Sequence, residues 1–324
     1  MIIPEEPAGT FVSAYSGAGG LDIGFALAGF VPVWANDLDA WACETYRRAF
    51  KRLRDEFPHL ERVTHEPYVG SLDEALAASP PPSATLVIGG PPCQGFSVAG
   101  KMDPDDPRSK NVFRFFDVVE AVQPEGFVME NVRALYDNDR WAQLRSELRS
   151  RAHVAGYSAE MFLLKASHYG VPQARERMFF IGLKGATPVA PPAVMADDEP
   201  TLRDALGQLP PYGQPGNNSL CRAKVTIARN PVLRRSPWAG MLLNGAGRPM
   251  DLDRPAPTLP ASMGGNKTPI IDQRQLDQGA EPWILGYHAH LWAGGDPWEA
   301  APPWLRRITV EEAAAIQSKC SGLG

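Results

Sequence analysis

Thr85-Leu86-Val87-Ile88-Gly89-Gly90-Pro91-Pro92-Cys93-Gln94-Gly95-Phe96-Ser97 carries more information than any other stretch of this chain. Its first four residues read as a short buried strand, and the glycines and prolines that follow end that strand abruptly. The thiol of Cys93 is then held on a stiff loop, and in an open α/β sheet such a loop lies at the carboxyl edge, where ligands bind. An arbitrary free cysteine is a small buried hydrophobe. Two flanking prolines and the polar Gln94 argue against that here, and Cys93 is the candidate nucleophile.

Outward from this stretch, short apolar strands alternate with amphipathic helices. Thr10 to Ala14 reads as a strand, followed by a glycine loop and a helix over Leu21 to Ala28. Val31 to Ala35 is a second strand and Ala40 to Phe50 a second helix. Val112, Phe115, Phe116, Val119 and Val122 recur at helical spacing before Pro124, and Gly126 to Met129 is a strand ending at Glu130. Met178 to Gly182 is another. This rhythm predicts a doubly wound, Rossmann-like α/β sheet. After Lys184 the texture changes to scattered prolines with little periodicity, which predicts a second, smaller, loop-rich domain over residues 185–303. Trp283, Trp292, Trp298 and Trp304 are expected to form its core. Thr309-Val310-Glu311-Glu312 is a capping box that starts a late helix.

The chain has 324 residues, 44% hydrophobic and 21% charged, which suits one large or two moderate globular domains. No apolar run approaches the about 18 residues needed to span a membrane. The first residues lack the basic and apolar regions of a signal peptide. Four cysteines without Cys-x-x-Cys spacing give neither a disulfide framework nor a zinc site, so a reduced, cytoplasmic protein is expected. The net charge of −5 hides an asymmetry: between Cys221 and Ile270 eight basic residues face two acids, a surplus of six, leaving −11 elsewhere. Such a segment is either a solvated loop or a local contact for phosphates.

Three further groups carry candidate chemistry. Ser16-Gly17-Ala18-Gly19-Gly20 lies between a strand and a helix start, where small residues let backbone approach a ligand and free N–H groups are on offer. Asp37 follows Gly17 by 20 residues, the usual offset for an acid that binds ribose hydroxyls. Glu130-Asn131-Val132 places a carboxyl at the same edge as Cys93, where it is either a proton donor raised by desolvation or a structural partner of an arginine. Gln173, Arg175 and Arg177 share one face if the next strand begins there. Two guanidinium groups so placed suit a planar, acceptor-rich ligand. His288-x-His290 alternates like a strand and, lacking acidic or thiol companions, is read as packing rather than a metal site. No metal is expected.

Together these residues resemble one family closely, the DNA cytosine-5 methyltransferases, from about Phe11 to Gln317. Ser16 to Gly20 resembles its cofactor loop, Pro92-Cys93-Gln94 its nucleophile loop and Glu130-Asn131-Val132 its acid. Gln173-x-Arg175-x-Arg177 resembles its base-binding pair, and Arg306-x-Ile308-Thr309-x-x-Glu312 its late helix start. The resemblance implies S-adenosylmethionine as methyl donor and a flipped cytosine in double-stranded DNA as acceptor, in a restriction–modification setting. Cys93 would add at C6, Glu130 would protonate N3, and Arg177, with Arg175 close by, would hold the O2 edge. The thiol, ordinarily near pKa ~8.5, would need nearby cations to lower it. The cofactor would meet Phe11, Ser16, Gly17, Ala18, Gly19, Gly20, Asp37, Leu38, Ser71, Leu72 and Pro91. The substrate would meet Pro92, Gln94, Asn131, Gln173, Arg254 and Thr258. Residues 1–184 would form the catalytic and cofactor domain, 185–303 the target-recognition domain, and 304–324 a truncated return to the first.

Two departures from the family pattern stand out. Gly70-Ser71-Leu72 replaces the common Gly-Asp that contacts the adenine amino group; Ser71 is expected to accept one hydrogen bond in its place. After Ile316-Gln317 the familiar Phe-Pro and the later Gly-Asn-x-Val segment do not follow. A second polypeptide carrying that segment, a truncated or frameshifted frame, or an incomplete chain would each explain this, and the chain alone is expected to have weak or no activity. The competing readings are a non-catalytic DNA-binding subunit and a tRNA cytosine methyltransferase; the long recognition region argues against the latter. A monomer on DNA is the default.

Overall fold

A parallel strand covered by helices on both sides needs apolar residues at nearly every position, and the first half of the chain supplies them. The computed structural model describes residues 6–61, 63, 65–92 and 111–318. Along them run β1 (Gly9–Ala14), α1 (Gly20–Leu27), β2 (Phe30–Asp37), α2 (Ala40–Glu56), β3 (Tyr68–Val69), α3 (Leu72–Ala78) and β4 (Leu86–Gly89). Then come α4 (Asn111–Val122), β5 (Gly126–Val132), α5 (Arg133–Asp137), α6 (Ala142–Val154), β6 (Ser158–Lys165) and β7 (Glu176–Leu183). These seven strands form one sheet in the order β3-β2-β1-β4-β5-β7-β6. β1 lies parallel to β2 and β4, and β4 parallel to β5, while β7 runs antiparallel to β5. Strand order reverses between β1 and β4, which makes their carboxyl ends the switch point where such sheets bind ligands.

Alternation along each strand sorts the side chains into two layers. Val12 and Ala14 of β1 and Trp34 of β2 pack with α3, α4 and α6. On the other face Ala35 packs with Ala26 of α1 and with Tyr46, Phe50 and Leu53 of α2. α4 buries Val112, Phe115, Phe116 and Val119, the stripe its spacing predicts. The rings of Phe115, Phe116, Phe127 and Phe180 meet at centroid separations of 5.1 to 6.3 Å, and each buried ring contributes about 1.5–3 kcal/mol. α2 runs to Glu56, beyond the Phe50 expected from sequence, because Leu53 continues its buried stripe. Phe57, extended before Pro58, ends it.

The chain divides into two compact units. The first comprises residues up to Leu164 together with Glu176–Pro192; the second comprises Lys165–Arg175 and residues from Ala193 onward. The second holds α7 (Leu202–Gly207), β8 (Ile227–Val232), β9 (Met241–Leu243), β10 (Ile270–Asp272), α8 (Gln273–Asp277), α9 (Trp283–Trp292), β11 (Leu305–Arg307) and α10 (Val310–Ile316). β8 pairs with β9, and β10 with β11, both antiparallel. Its main core gathers Leu202 and Leu206 of α7, Met250, Leu252, Ile271, Ile308, and Ala313 and Ile316 of α10.

Three expectations are corrected here. Residues from 304 onward group with the second unit rather than returning to the first, because α10 packs on α7. His288 and His290 lie in helix α9, not a strand, and their Nε2 atoms bond the carbonyls of Arg234 and Asp296 at 2.7 and 2.8 Å. Of the four late tryptophans, Trp283 and Trp298 pack on the buried Tyr287, each ring 4.9 Å from it; Trp292 is 59% exposed, and Trp298 and Trp304 are still more than a third exposed, so the four do not form a buried core.

The capping box at Thr309 forms as expected, within a buried network. Arg306 clasps the Glu312 carboxylate with two bonds of 2.8 and 2.6 Å, and its guanidinium lies 3.9 Å above the Tyr212 ring. Glu312 also accepts from the Thr309 amide, and the Thr309 hydroxyl donates to Asn217 at 2.6 Å. The Arg306-x-Ile308-Thr309-x-x-Glu312 pattern is thus what ties α10 to the segment around Tyr212 and Asn217.

Candidate functional site

Ala14 and Gly89 are register partners at the ends of β1 and β4, so the loops that follow them open side by side at the carboxyl edge. They approach so closely that a Cβ on Gly89 would stand 2.4 Å from the Ala14 carbonyl oxygen. Beyond β1 the chain turns through Gly17 and Gly19, whose φ angles of 56° and 82° are left-handed and suit glycine. Gly19 is also the N-cap of α1 and supplies no side-chain acceptor, so the first amides of that helix have no side-chain cap, although none of residues Ser16 to Gly20 lines the cavity described below. From the end of β2, the Asp37 carboxylate accepts from the Gly17 amide at 2.8 Å and from the Asp39 amide at 2.9 Å. The glycine loop and the acid 20 residues later therefore meet in space.

Asn36, buried beside Asp37, joins this edge together. Its carbonyl accepts from the Ser16 amide at 2.9 Å and the Ser16 hydroxyl at 3.2 Å, and its Nδ2 donates to the Gly70 carbonyl at 2.8 Å. A cavity of about 240 Å³ opens here, lined by Tyr15, Asn36, Asp37, Leu38, Gly70, Ser71, Leu72, Asp73, Gly90, Pro92, Asn111 and Arg114. Asp37, Leu38, Ser71, Leu72 and Pro92 were anticipated from sequence. Tyr15, Asn36, Gly70, Asp73 and Gly90 were not, although each adjoins an anticipated residue; Asn111 and Arg114 had no local signal.

Several expected contacts lie elsewhere. Phe11 is fully buried in the sheet with its ring 6.0 Å from Phe25, and Tyr15 takes the place on the cavity wall. Pro91 is buried and does not line the cavity; its carbonyl accepts from the Asn131 amide at 3.2 Å. Asn131, expected among the substrate contacts, is 1% exposed and anchors that loop from below. The Ser71 hydroxyl is engaged in the cap of α3, donating to the Glu74 carboxylate at 2.7 Å and accepting from its amide at 3.3 Å.

Glu130 lies two residues before the end of β5, at the carboxyl edge. Its Oε1 pairs with Nε of Arg177 at 2.9 Å, and both side chains are mostly buried. The antiparallel register explains this: Val132 faces Arg177, so Glu130 and Arg177 are diagonal neighbours on one face. Glu130 Oε2 stands 3.5 Å from where a Cβ on Gly90 would be, so the carboxylate lies beside the start of the loop that leads to Cys93. Cys93 and Gln94 lie outside the described residues.

β7 begins at Glu176, so the alternation expected for Gln173, Arg175 and Arg177 does not hold. Gln173 and Arg175 belong to the second unit and Arg177 to the first. Gln173 is buried and bridges Ala256, with the Ala174 amide donating to the Ala256 carbonyl at 2.8 Å. That places Gln173 beside the Arg254–Thr258 segment, whose Arg254 and Thr258 side chains are exposed. All eight cations between Cys221 and Ile270 are exposed. Arg254 has a distant partner in Asp251 at 3.7 Å, and the other seven have no ion pair among the described residues. No group of three or more acidic, histidine or cysteine side chains among the described residues suits a metal. Cys43 and Cys221 are free thiols, and no helix among the described residues is long and apolar enough to cross a membrane.

Comparison with known proteins gives the family. The model of the family described as C-5 cytosine-specific DNA methylase matches residues 9–238. The type II methyltransferase M1.HphI of Haemophilus parahaemolyticus is 36% identical over 214 residues, 65% of this chain and 55% of that protein. The type II methyltransferase M.AquIA of a Picosynechococcus species is 35% identical over 240 residues, 67% of this chain and 94% of that protein. The chain spans about half the length of several other relatives, 48% of M.DdeI from Desulfomicrobium norvegicum for example. The solved structure of the Entamoeba histolytica methyltransferase EhMeth aligns with TM-score 0.62 at 14% identity, covering 99% of this chain and 88% of that one, which shows a shared fold. This chain belongs to the C-5 cytosine-specific DNA methylase family.

Proposed function

We propose that this chain transfers a methyl group from S-adenosylmethionine to C5 of a cytosine flipped out of double-stranded DNA, as the modification enzyme of a type II restriction–modification system. The observation that carries the reading is Glu130, bound to Arg177 and set against Gly90 where the cavity meets the nucleophile loop. The first unit would hold the chemistry and the second would recognise the target.

The cavity's residues fit the donor. Asp37 keeps acceptor capacity beyond its two amide bonds and suits ribose hydroxyls. The uncapped start of α1 suits the amino-acid carboxylate, and Tyr15, Leu38 and Leu72 offer apolar walls to the adenine ring. When bound, S-adenosylmethionine supplies an electrophilic methyl group. The protein must raise the electron density of C5, because cytosine is too weak a nucleophile by itself. Cys93 would add as thiolate to C6 while Glu130 delivers a proton to N3, and Arg177 would orient both that carboxyl and the O2 edge. Once C5 carries the methyl group, loss of the C5 proton to solvent, return of the N3 proton to Glu130 and departure of Cys93 as thiolate would restore the aromatic base and the free enzyme. Flipping the cytosine costs a few kcal/mol of stacking, offset by phosphate contacts from the exposed cations of the second unit.

The test is transfer of labelled methyl from S-adenosylmethionine to unmethylated duplex DNA, beside Cys93→Ser and a tRNA control. Label on DNA that vanishes with Cys93→Ser supports the proposal. Label confined to tRNA, or none with folded protein, overturns it for this chain.

A further inference from the structure

Resting on the catalytic reading above, we infer that Glu176 and Arg133 are positioning residues: their ion pair fixes the peptide whose carbonyl aims the Arg177 guanidinium at Glu130. Among the described residues Arg177 makes two polar contacts. Its Nε meets Glu130 Oε1 at 2.9 Å, and its Nη1 donates to the carbonyl of Glu176 at 2.7 Å. A guanidinium is a rigid planar fork of donors, so two bonds set its plane and leave the remaining N–H groups to a ligand. One of those two anchors is main chain, and the aim of Arg177 therefore depends on how firmly residue 176 is held. Glu176 is the first residue of β7 and Arg177 the second, and pairing with β5 stops at Val132–Arg177. A strand end so placed frays unless something ties it down.

The tie is Arg133. Its Nη1 donates to Glu176 Oε2 at 2.7 Å, and its Nε donates to Asp137, one turn on in α5, also at 2.7 Å. α5 is itself a fixed support: Leu135 is fully buried, and Arg145 of α6 donates to the carbonyls of Leu135 and Asn138 at 3.2 and 2.8 Å. Continuing the strand register by one residue sets Glu176 opposite Arg133, so the side chains close the sheet where the ladder ends. Side chains alternate along a strand, and Glu176 thus holds the peptide from the face opposite Arg177. The side chains of Arg133 and Glu176 are 53% and 35% exposed, and an ion pair at such exposure contributes little to stability. Misplacing a group at a reacting centre by about 1 Å, in contrast, costs about a hundredfold in rate. The consequence of this pair is in the chemistry, not in the fold.

The experiment compares the native chain with Arg133→Ala, Glu176→Ala, the double alanine variant and Arg133→Lys. Two rates are read on duplex DNA: transfer of labelled methyl from S-adenosylmethionine, and release of tritium from cytosine labelled at C5 with no cofactor present. In the second, Cys93 adds as thiolate to C6 while N3 takes a proton from Glu130. C5 then takes a proton from water and gives up its labelled one, the N3 proton returns to Glu130, and Cys93 leaves as thiolate. Tritium release therefore reads the step that Glu130 and Arg177 serve, without the donor. Each single alanine variant should lower kcat and tritium release by about tenfold to a hundredfold, with KM for S-adenosylmethionine changed less than about twofold. The thermal midpoint should move by about 2 °C or less. Arg133→Lys should recover most of the rate, and the double variant should be no slower than the slower single one. Native rates in both alanine variants, losses that add in the double variant, or a fall in rate matched by a fall in thermal midpoint overturn the inference. A native chain that neither transfers methyl nor releases tritium overturns the catalytic reading, and this inference with it.

Discussion

Asp22 sits in the first turn of α1, under the glycine loop, and is 1% exposed. Burial pushes its carboxyl from 3.8 up to about 7; the Ser13 and Tyr46 hydroxyls oppose the rise and Asp37 adds to it. Neither carboxylate oxygen has a partner in hydrogen-bonding geometry. The folded chain therefore holds this proton more tightly than the unfolded chain does. Between about pH 4 and pH 7 the native state binds more protons, and stability must fall as pH rises through that window. At 1.36 kcal/mol per pH unit of full difference, the loss is about 2 kcal/mol between pH 5 and pH 7 and about 3 kcal/mol by pH 8, where it levels off. Asp22→Asn has nearly the same shape and never ionises. Its amide brings a fixed penalty or gain that does not vary with pH. Urea unfolding of both proteins at pH 5, 6, 7 and 8 isolates the effect as the change in their stability difference. The native chain should lose about 3 kcal/mol relative to Asp22→Asn from pH 5 to pH 8. Two curves that stay parallel over that range would refute the reasoning and mean that the buried carboxyl is solvated or paired.

Three further outcomes follow from single contacts. Gly89→Ala would drive a Cβ to 2.4 Å from the Ala14 carbonyl oxygen and 3.0 Å from the Phe115 ring; it should cost about 3 kcal/mol or more, read as a lower urea midpoint. Arg306→Met strands the Glu312 carboxylate, which is 1% exposed, and should cost about 3–5 kcal/mol, whereas Arg306→Met with Glu312→Leu should recover part of that loss. Asn131→Ala removes the donor that holds the Pro91 carbonyl at 3.2 Å. It should lower kcat by about tenfold to a hundredfold through misplacement of the Cys93 loop, with the affinity for S-adenosylhomocysteine changed less than about twofold; equal loss of both would argue that the contact is only structural.

The alternating first half was legible because its signals are local. Thr10 to Ala14, Thr85 to Ile88 and Gly126 to Met129 each form continuous apolar runs that only a strand covered on both faces requires. The Gly17–Asp37 offset is likewise a short-range consequence of one β-loop-α-β unit, and the two groups do meet. The Thr309 cap was readable because a capping box is completed within four residues. Beyond Lys184 the elements are short, and each is held by partners far along the chain, as Arg307 is by the carbonyls of Ala223, Asn244, Asn266 and Thr268. No window of sequence contains such information.

The site divides in the same way. From sequence alone come the residue types that can do the chemistry and the edge of the sheet they occupy, since strand ends and glycine turns are written locally. Only the tertiary structure decided which of them touch. It replaced Phe11 with Tyr15 on the cavity wall, drew Asn131 beneath Pro91, and bound the Ser71 hydroxyl to its own helix. It also separated Arg175 from Arg177 by starting β7 between them, and set Arg177 on Glu130 through strand register. Asp73 and Arg114 meet across 41 residues of chain. Periodicity reports which face a side chain takes, but contact between distant segments depends on how whole layers pack, and that is settled only when the chain has closed on itself.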